Sequence, residues 1–287
     1  MTTSKYIVLN ETNFVSIKGK DIKDFLQGII TNDINKCHKK VIYSCLLTPQ
    51  GKFLSDFFVI PIEDYYIVEI NKAFFKTFIS KLKIYKLRSN VEIQEIQNLI
   101  SVIILNTPID KSLELGSMQL NNDYIEYVDP RNLNLGKKII IKNDLIDKYI
   151  ISNNYERMNP NDYEKIMIEN LIPNSTKDLK VEKSLLLENN FENINAIDWN
   201  KGCYIGQELT ARMKYRALLK KSLRLIKIDS GKVDSEDEVL FENNNIGKIT
   251  SIVENYGLAL LKIQESEKSI NDSLILNTKN GKIKIIN

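Results

Sequence analysis

Residues 201–208 read Lys-Gly-Cys-Tyr-Ile-Gly-Gln-Glu and place an amine, a thiol, an amide and a carboxylate within one short segment. The two glycines, Gly202 and Gly206, let the backbone turn tightly and approach a ligand closely. Lys201 lies two residues before Cys203, and a neighbouring ammonium or the start of a helix favours the thiolate form of a cysteine. The segment therefore predicts an activated thiol, with Cys203 and Lys201 as catalytic candidates. The alternative is that Cys203 is a small, buried and unreactive side chain.

A second candidate is Asp56, the acidic residue in an apolar strand predicted over residues 52–60. Leu54 and Phe58 share its face, and the opposite face carries Phe53, Phe57 and Val59 as well as a serine. With both faces apolar, the strand is expected to be buried on both sides, where an unpaired carboxylate is costly. Asp56 is therefore predicted to bind a polar ligand or to transfer a proton, and a hydrogen-bonded structural acid is the alternative.

The composition limits the other kinds of site. The chain has one histidine, His38, and three cysteines without a C-x-x-C or Cys/His spacing, which disfavours a Ser-His-Asp triad and predicts no metal ligands. A formal net charge of only +3 makes nucleic-acid binding an unlikely function class but permits a local basic pocket for a small anion. Neither a P-loop nor a G-x-G-x-x-G motif is present.

The chain ends and the apolar runs give an expectation about location. Residues 1–10 lack the features of a secretory signal or of an organelle transit peptide, and no apolar run approaches the ~20 residues that span a bilayer. Unpaired cysteines are typical of a reducing compartment. We therefore expect a cytoplasmic protein with no membrane partner.

The predicted elements divide the chain in two. Strands, helices and hairpins mix in the first part, without a regular βαβ repeat. From residue 222 onward, five short strands indicate a small antiparallel barrel or sandwich; they cover residues 222–228, 246–253, 257–263, 273–276 and 282–286. We place the boundary near residue 215, giving an N-terminal region of residues 1–214 and a C-terminal β-domain of residues 215–287.

Three further segments could contact a ligand. Asn32 lies in a polar loop after a helix predicted over residues 21–29, where it could bind a ligand or stabilise a turn. Arg88 ends a basic run that follows an amphipathic helix at residues 72–85, and that run could bind an anionic tail or be a solvated face. Glu208 opens a helix predicted over residues 207–215 and could pair with Arg212 at i,i+4.

Several separated motifs resemble one family. Residues 198–208, followed by Ala211-Arg212, strongly resemble the signature of the YgfZ family, the folate-binding proteins of iron–sulfur cluster maintenance, which are related to the glycine cleavage T-protein, an aminomethyltransferase. The resemblance covers nearly the whole chain, in the order residues 25–28, 31–33, 47–52, 85–88, 129–131 and 257–259.

The resemblance implies an α+β fold of the three-lobed aminomethyltransferase type, with a C-terminal antiparallel β-barrel and a tetrahydrofolate site. It implies a role in making or repairing 4Fe–4S proteins, with client or scaffold proteins as partners and Cys203 as the functional cysteine. A pterin ring has a donor edge that suits a carboxylate, and its glutamate tail suits Lys or Arg. The candidate folate-binding residues are Asn32, Asp56, Arg88, Glu188 and Glu208.

One departure from the family bears on the reaction. Aminomethyltransferases typically carry paired aspartates where this chain has Ser55-Asp56, so only the second acid is kept. The main hypothesis is therefore an accessory factor with little or no catalysis, and the alternative is a folate-dependent one-carbon transfer enzyme of the aminomethyltransferase type.

Overall fold

The computed structural model describes residues 4–105, 112–216 and 218–286, which divide into two units. The first unit comprises residues 1–50, 54–160 and 193–207, and the second comprises residues 51–53, 161–192 and 208–287.

Among the described residues, the first unit contains two sheets and three α-helices. Its helices are α1 (Ile22–Gln27), α2 (Lys72–Lys86) and α3 (Ile146–Ser152). Its strands are β1 (Lys5–Leu9), β2 (Thr12–Lys18), β3 (Ile42–Leu47), β4 (Phe53–Ile62), β5 (Tyr65–Asn71), β6 (Glu92–Ile96), β7 (Leu99–Leu105), β8 (Met118–Leu120), β9 (Tyr124–Val128), β10 (Lys137–Lys142) and β11 (Glu156–Arg157).

One sheet carries the order β3-β4-β5-β2-β6, and the other carries β11-β1-β7-β10-β9-β8. In the first sheet, β3 and β4 are neighbours joined by a turn that contains Gly51 at φ +75°. In the second sheet, Val102 and Ile104 of β7 pack against Ile139 and Ile141 of β10. Consecutive apolar residues of β3, β4, β7 and β10 are buried, so these strands lie in the core of the unit.

Helix α2 follows the amphipathic pattern of its sequence. The side chain of Asn71 accepts a hydrogen bond from the N–H of Ala73 and so caps the helix start. Phe74, Phe78 and Leu82 are buried and recur at helical spacing, so one side of α2 packs onto the unit.

The second unit contains a closed barrel with the strand order β12-β15-β14-β13-β16-β17. Its strands are β12 (Lys221–Lys232), β13 (Glu238–Phe241), β14 (Asn244–Val253), β15 (Tyr256–Lys262), β16 (Ile275–Asn277) and β17 (Asn280–Ile285), and its helices are α4 (Pro160–Glu169), α5 (Ser175–Asp178), α6 (Gln207–Tyr215) and α7 (Ile263–Asn271). The predicted antiparallel barrel is confirmed.

The barrel has one strand and one helix more than its sequence pattern indicates. Strand β13 is only four residues long and pairs with β14 across a turn at Glu242 and Asn243. Helix α7 fully buries Ser266 and Ser269 and packs Ile270 against the barrel core, so few apolar residues mark it in the sequence. Gly247 lies at φ +153° where β13 and β14 change register, and a Cβ there would lie 2.0 Å from the carbonyl oxygen of Leu260. Only glycine fits this position.

No helix in the described ranges is both long and apolar enough to cross a membrane.

Candidate functional site

Lys201 is the anchor of the 201–208 segment. Its side chain is only 8% exposed, and its ammonium donates hydrogen bonds to three main-chain carbonyls: Gln27 at 2.8 Å, Ile30 at 2.6 Å and Asn32 at 2.9 Å. The same nitrogen lies 4.9 Å from the ring centroid of Tyr204. All three protons of the ammonium are therefore used, and the segment is fixed to the end of α1.

The end of α1 explains why a cation binds there. The last carbonyls of a helix have no partner within the helix, and they carry the negative end of its dipole. Burial lowers the pKa of Lys201 to about 8, while the charges of Asp33 and Asp198 oppose that shift. Lys201 thus supplies donors that α1 and the following loop lack.

Cys203 is exposed between two fixed points. Lys201 and Tyr204 are buried on either side of it, and the N–H of Ile205 donates to the carbonyl of Gly28 at 3.0 Å. A Cβ on Gly202 would meet no atom within 4 Å, so the space beside Cys203 is open. The thiol is therefore presented to solvent from a short segment that cannot move far.

Asp198 fixes the approach to this segment. Its side chain is buried, with Oδ1 accepting a hydrogen bond from the N–H of Asn200 and Oδ2 lying 2.5 Å from the ammonium of Lys36. Burial raises the pKa of Asp198, but the hydrogen bonds from Lys36 and from the Asn200 N–H outweigh it, and the net shift is downward. Asp198 is therefore held as a carboxylate.

Asp56 lies half-buried in β4, so its side chain is more exposed to solvent than expected for a strand with two apolar faces. The hydroxyl of Tyr43, on the neighbouring β3, donates to its Oδ2 at 2.5 Å. Burial raises the pKa of Tyr43 well above its usual range, and the charge of Asp56 adds to that effect. Among the described residues, none donates to Oδ1 of Asp56, which leaves one carboxylate oxygen for a ligand.

Asn32 connects the two predicted catalytic positions. Its side-chain amide donates to the carbonyls of Tyr43 at 2.9 Å and Asn195 at 2.8 Å, and its own carbonyl accepts from Lys201. Because Tyr43 bonds to Asp56, a continuous set of contacts runs from Lys201 through Asn32 and Tyr43 to Asp56. Asn32 is buried in these contacts, and binding of folate by its side chain stays a prediction.

A buried ion pair beside Asp56 is absent from the sequence-based candidates. The guanidinium of Arg131 binds both carboxylate oxygens of Asp129, at 3.0 and 2.7 Å. It lies 5.0 Å from the ring centroid of Phe58 and 5.4 Å from that of Tyr43. The two residues belong to the Asp-Pro-Arg motif at residues 129–131, which is part of the family resemblance but is not among the predicted site residues.

A second buried pair lies against the same ring of Phe58. The ammonium of Lys138 is 3.9 Å from the centroid of Phe58 and 2.5 Å from Oε1 of Glu69, whose Oε2 accepts from the hydroxyl of Tyr127. Burial lowers the pKa of Lys138, and the charges of Glu69 and Asp129 oppose that shift. Glu69 could have been found by the signal that singled out Asp56, because it is the acidic residue in an apolar strand, β5.

The remaining predicted ligands lie elsewhere. Arg88 is exposed just after α2 in the first unit. Glu188 and Glu208 belong to the second unit: Glu188 is half-buried, and Glu208 is exposed and bonds Arg212 at 2.5 Å, as the i,i+4 spacing predicts. Burial raises the pKa of Glu188, while Lys221 and Lys52 oppose the shift. Binding of folate by any of these residues stays a prediction.

Residues 8–139 match the GCVT N-terminal domain. The chain is also 26% identical over 249 residues to the mitochondrial iron–sulfur cluster assembly factor IBA57 homolog of Dictyostelium discoideum, a match that covers 76% of this chain and 61% of that protein. The mitochondrial iron–sulfur cluster assembly factor IBA57 of Mus musculus is 24% identical over 241 residues, covering 75% of this chain and 64% of the mouse protein. The chain thus spans less than two thirds of the length of these relatives.

The fold agrees with a solved structure of the GCVT type. The glycine cleavage system aminomethyltransferase T of Bartonella henselae superposes with a TM-score of 0.81 at 10% identity, covering 100% of this chain and 86% of that one. This likeness confirms the predicted α+β aminomethyltransferase-like architecture. Homology to iron–sulfur assembly factors confirms the coarser part of the predicted resemblance.

The prediction of a cytoplasmic protein is wrong on this comparison. The relatives from Dictyostelium discoideum, Neurospora crassa and Mus musculus are all mitochondrial proteins. The prediction depended on the composition of residues 1–10 and on the unpaired cysteines. Neither observation distinguishes the cytoplasm from the compartment of these relatives.

Proposed function

We propose that this protein is a tetrahydrofolate-binding accessory factor of the YgfZ type, which supports the assembly or repair of 4Fe–4S proteins through the thiol of Cys203. The observation that carries the proposal is homology over about three quarters of the chain to iron–sulfur cluster assembly factors. The GCVT N-terminal domain at residues 8–139 contains Asp56, Tyr43 and Asn32, so the folate candidates of the first unit lie within the matched segment.

The surroundings of Asp56 fit the head group of a folate. The Oδ1 atom of Asp56 can accept hydrogen bonds from the amino and ring N–H groups of a pterin, since Tyr43 occupies only Oδ2. Tyr43 and Phe58 pack beside it with ring centroids 5.1 Å apart, and both rings are buried. Bound tetrahydrofolate would supply a carrier of one-carbon units, and the residues of this chain would orient it.

Cys203 fits a role that involves a partner protein. A 4Fe–4S cluster takes four cysteine-type ligands, and one exposed thiol supplies only one of them. Within the described ranges, no group of three or more His, Cys, Asp or Glu side chains could hold a metal ion. A client or scaffold protein would therefore supply the remaining ligands.

The alternative is one-carbon transfer from an amine to tetrahydrofolate, which a carboxylate at Asp56 would support by accepting a proton. Ser55 stands where an aminomethyltransferase carries the first of two aspartates, and its side chain is buried. A serine hydroxyl is not ionised at neutral pH, so the site has one carboxylate where the transferase has two. Formation of methylene-tetrahydrofolate from an aminomethyl donor would establish this alternative.

Calorimetric titration with tetrahydrofolate tests the folate part of the proposal. The wild type is expected to bind, and Asp56→Ala is expected to bind about 10–100-fold more weakly, because a hydrogen bond to a charged group contributes about 1.5–3 kcal/mol. Asp64→Ala removes an exposed acid from the loop after β4 and serves as the matched control. Absence of binding by the wild type would refute the folate part.

Complementation tests the thiol part. In cells that lack the gene, Cys203→Ser is expected to fold and to bind folate as the wild type does, but not to restore the activity of 4Fe–4S enzymes. Asn200→Ala changes an exposed side chain three residues away and should restore it. Full restoration by Cys203→Ser would show that the thiol is not required.

A further inference from the structure

Helix α2 presents an unusually one-sided charge to solvent. Residues 72–91 contain Lys72, Lys76, Lys81, Lys83, Lys86 and Arg88, and no acidic residue. Of these, only Lys72 makes an ion pair among the described residues, with Glu11. The positive charge on the outer face of α2 and on its C-terminal end is therefore not neutralised by the protein.

An apolar side chain projects from the same end of the helix. Leu87 is 86% exposed, the highest value among the large apolar residues that the structure describes, and Ile84, one turn before it, is 57% exposed. Lys83, Lys86 and Arg88 flank these two side chains in the sequence. Exposure of these aliphatic side chains to water is unfavourable. Their transfer, with the neighbouring cations, to an anionic surface that has an apolar layer beneath it is favourable.

The backbone holds Leu87 in this position against its own preference. Leu87 has φ +44° and ψ −112°, a conformation that L-residues with a side chain rarely adopt. The next residues are fixed, because the N–H of Asn90 donates to Oδ2 of Asp21 and the carbonyl of Asn90 accepts from the N–H of Asp21. The side chain of Leu87 is not packed in the core, so the stability of the fold does not explain its strained backbone. This points to a contact with another molecule.

We propose that the end of α2, comprising Lys83, Ile84, Lys86, Leu87 and Arg88, binds the surface of an anionic phospholipid bilayer. Lysine stems can lie along the apolar boundary while their ammonium groups reach the phosphate groups, and Leu87 and Ile84 enter the boundary between them. The contact is peripheral and needs no membrane-spanning helix. It does not use Cys203, and Arg88 is the one residue of this patch that is also a candidate folate ligand.

The residue types favour a lipid surface over a protein or nucleic-acid partner. Lysine is depleted in protein–protein interfaces and leucine is under-represented among their hot spots, whereas both are common at bilayer surfaces. Nucleic-acid surfaces that lack sequence preference use exposed aromatic rings for stacking, and neither Ile84 nor Leu87 offers one. Ile84 and Leu87 also project outward, and a bilayer surface can accept them without a shaped pocket.

Co-sedimentation of the full chain with vesicles tests this proposal. The wild type is expected to sediment with vesicles of phosphatidylcholine mixed with phosphatidylserine, less with phosphatidylcholine alone, and less at high salt. Each of Lys83→Gln and Lys86→Gln should weaken partitioning about fivefold. Leu87→Asn should weaken it about tenfold or more, and it should fold at least as well because asparagine tolerates positive φ.

Helix α3 provides matched controls in the same unit. Ile151 is 77% exposed and Lys148 is exposed, but Asp144 and Asp147 lie beside them. Ile151→Ser and Lys148→Gln are therefore expected to partition as the wild type does. The proposal is overturned if the wild type does not sediment with phosphatidylserine vesicles, or if the α2 and α3 variants lose binding equally. Equal binding of the wild type to single-stranded RNA and to vesicles would also overturn it, because it would show general attraction to anions.

Discussion

Replacement of Lys201 by methionine tests the anchor of the 201–208 segment. Methionine keeps the length and most of the volume of the side chain but donates no hydrogen bond, so the carbonyls of Gln27, Ile30 and Asn32 lose their donor. If each carbonyl left without a donor costs about 1.5 kcal/mol, the three together cost about 4.5 kcal/mol. About 1–2 kcal/mol returns, because methionine does not require an ammonium to be dehydrated. We expect the free energy of unfolding to fall by about 3 kcal/mol.

Two measurements check this expectation. Urea denaturation gives the change in the free energy of unfolding, and Lys23→Met, which alters an exposed lysine of α1, should change it by less than about 0.5 kcal/mol. Native-state hydrogen exchange should show faster exchange of the Ile205 amide, because its bond to the Gly28 carbonyl depends on the anchored segment. A denaturation midpoint equal to that of Lys23→Met would show that the three carbonyls do not depend on the ammonium.

Two further predictions concern buried charges of the first unit. The pKa of Asp198 is lower in the folded protein than in the unfolded chain, so its contribution to stability is complete above the usual aspartate range and is lost as the pH falls through the lowered value. Asp198→Asn should therefore destabilise the protein at neutral pH and progressively less in acid. Urea denaturation at a series of pH values measures this change in the free energy of unfolding. Lys138→Met should cost about 3–5 kcal/mol by leaving Glu69 charged and unpaired, and adding Glu69→Gln should recover part of that loss. Strictly additive costs in the double-mutant cycle would contradict the second prediction.

The periodic elements of the fold could be predicted from the sequence. A nearly continuous apolar run locates β4 and makes Asp56 conspicuous, and apolar residues at helical spacing locate α2. In each case the information lies within one segment, since the side-chain pattern of an element directly reflects which of its faces is buried. A carboxylate in an apolar strand also requires a partner, and the structure supplies Tyr43.

The role of Lys201 could not be predicted in this way. Its three acceptors are main-chain carbonyls that lie 169 to 174 residues earlier in the chain, and a carbonyl leaves no mark in a sequence. The spacing of Lys201 and Cys203 indicates that the ammonium activates the thiol, but the structure commits that ammonium to the end of α1. The effect of Lys201 on the reactivity of Cys203 stays a prediction.

Lys138 illustrates a second limit. It lies in a lysine-containing stretch at the start of β10, which is typical of a solvated strand end, yet it is almost fully buried. Its burial is decided by residues on other strands: Glu69 neutralises the ammonium, and the hydroxyl of Tyr127 donates to the second carboxylate oxygen of Glu69. A pairing of this kind depends on the strand order of the sheets, which local patterns do not contain.

The fixed points on either side of Cys203 affect the entropy of any association that uses the thiol. Ordering a flexible backbone costs about 1–2 kcal/mol for each residue, and a docking loop normally incurs that cost when it binds. Here Lys201 and Tyr204 are already buried, so only the two residues between them retain freedom. A molecule that binds at Cys203 therefore incurs little cost for ordering the backbone of this segment. Its residence time depends on the contacts it forms.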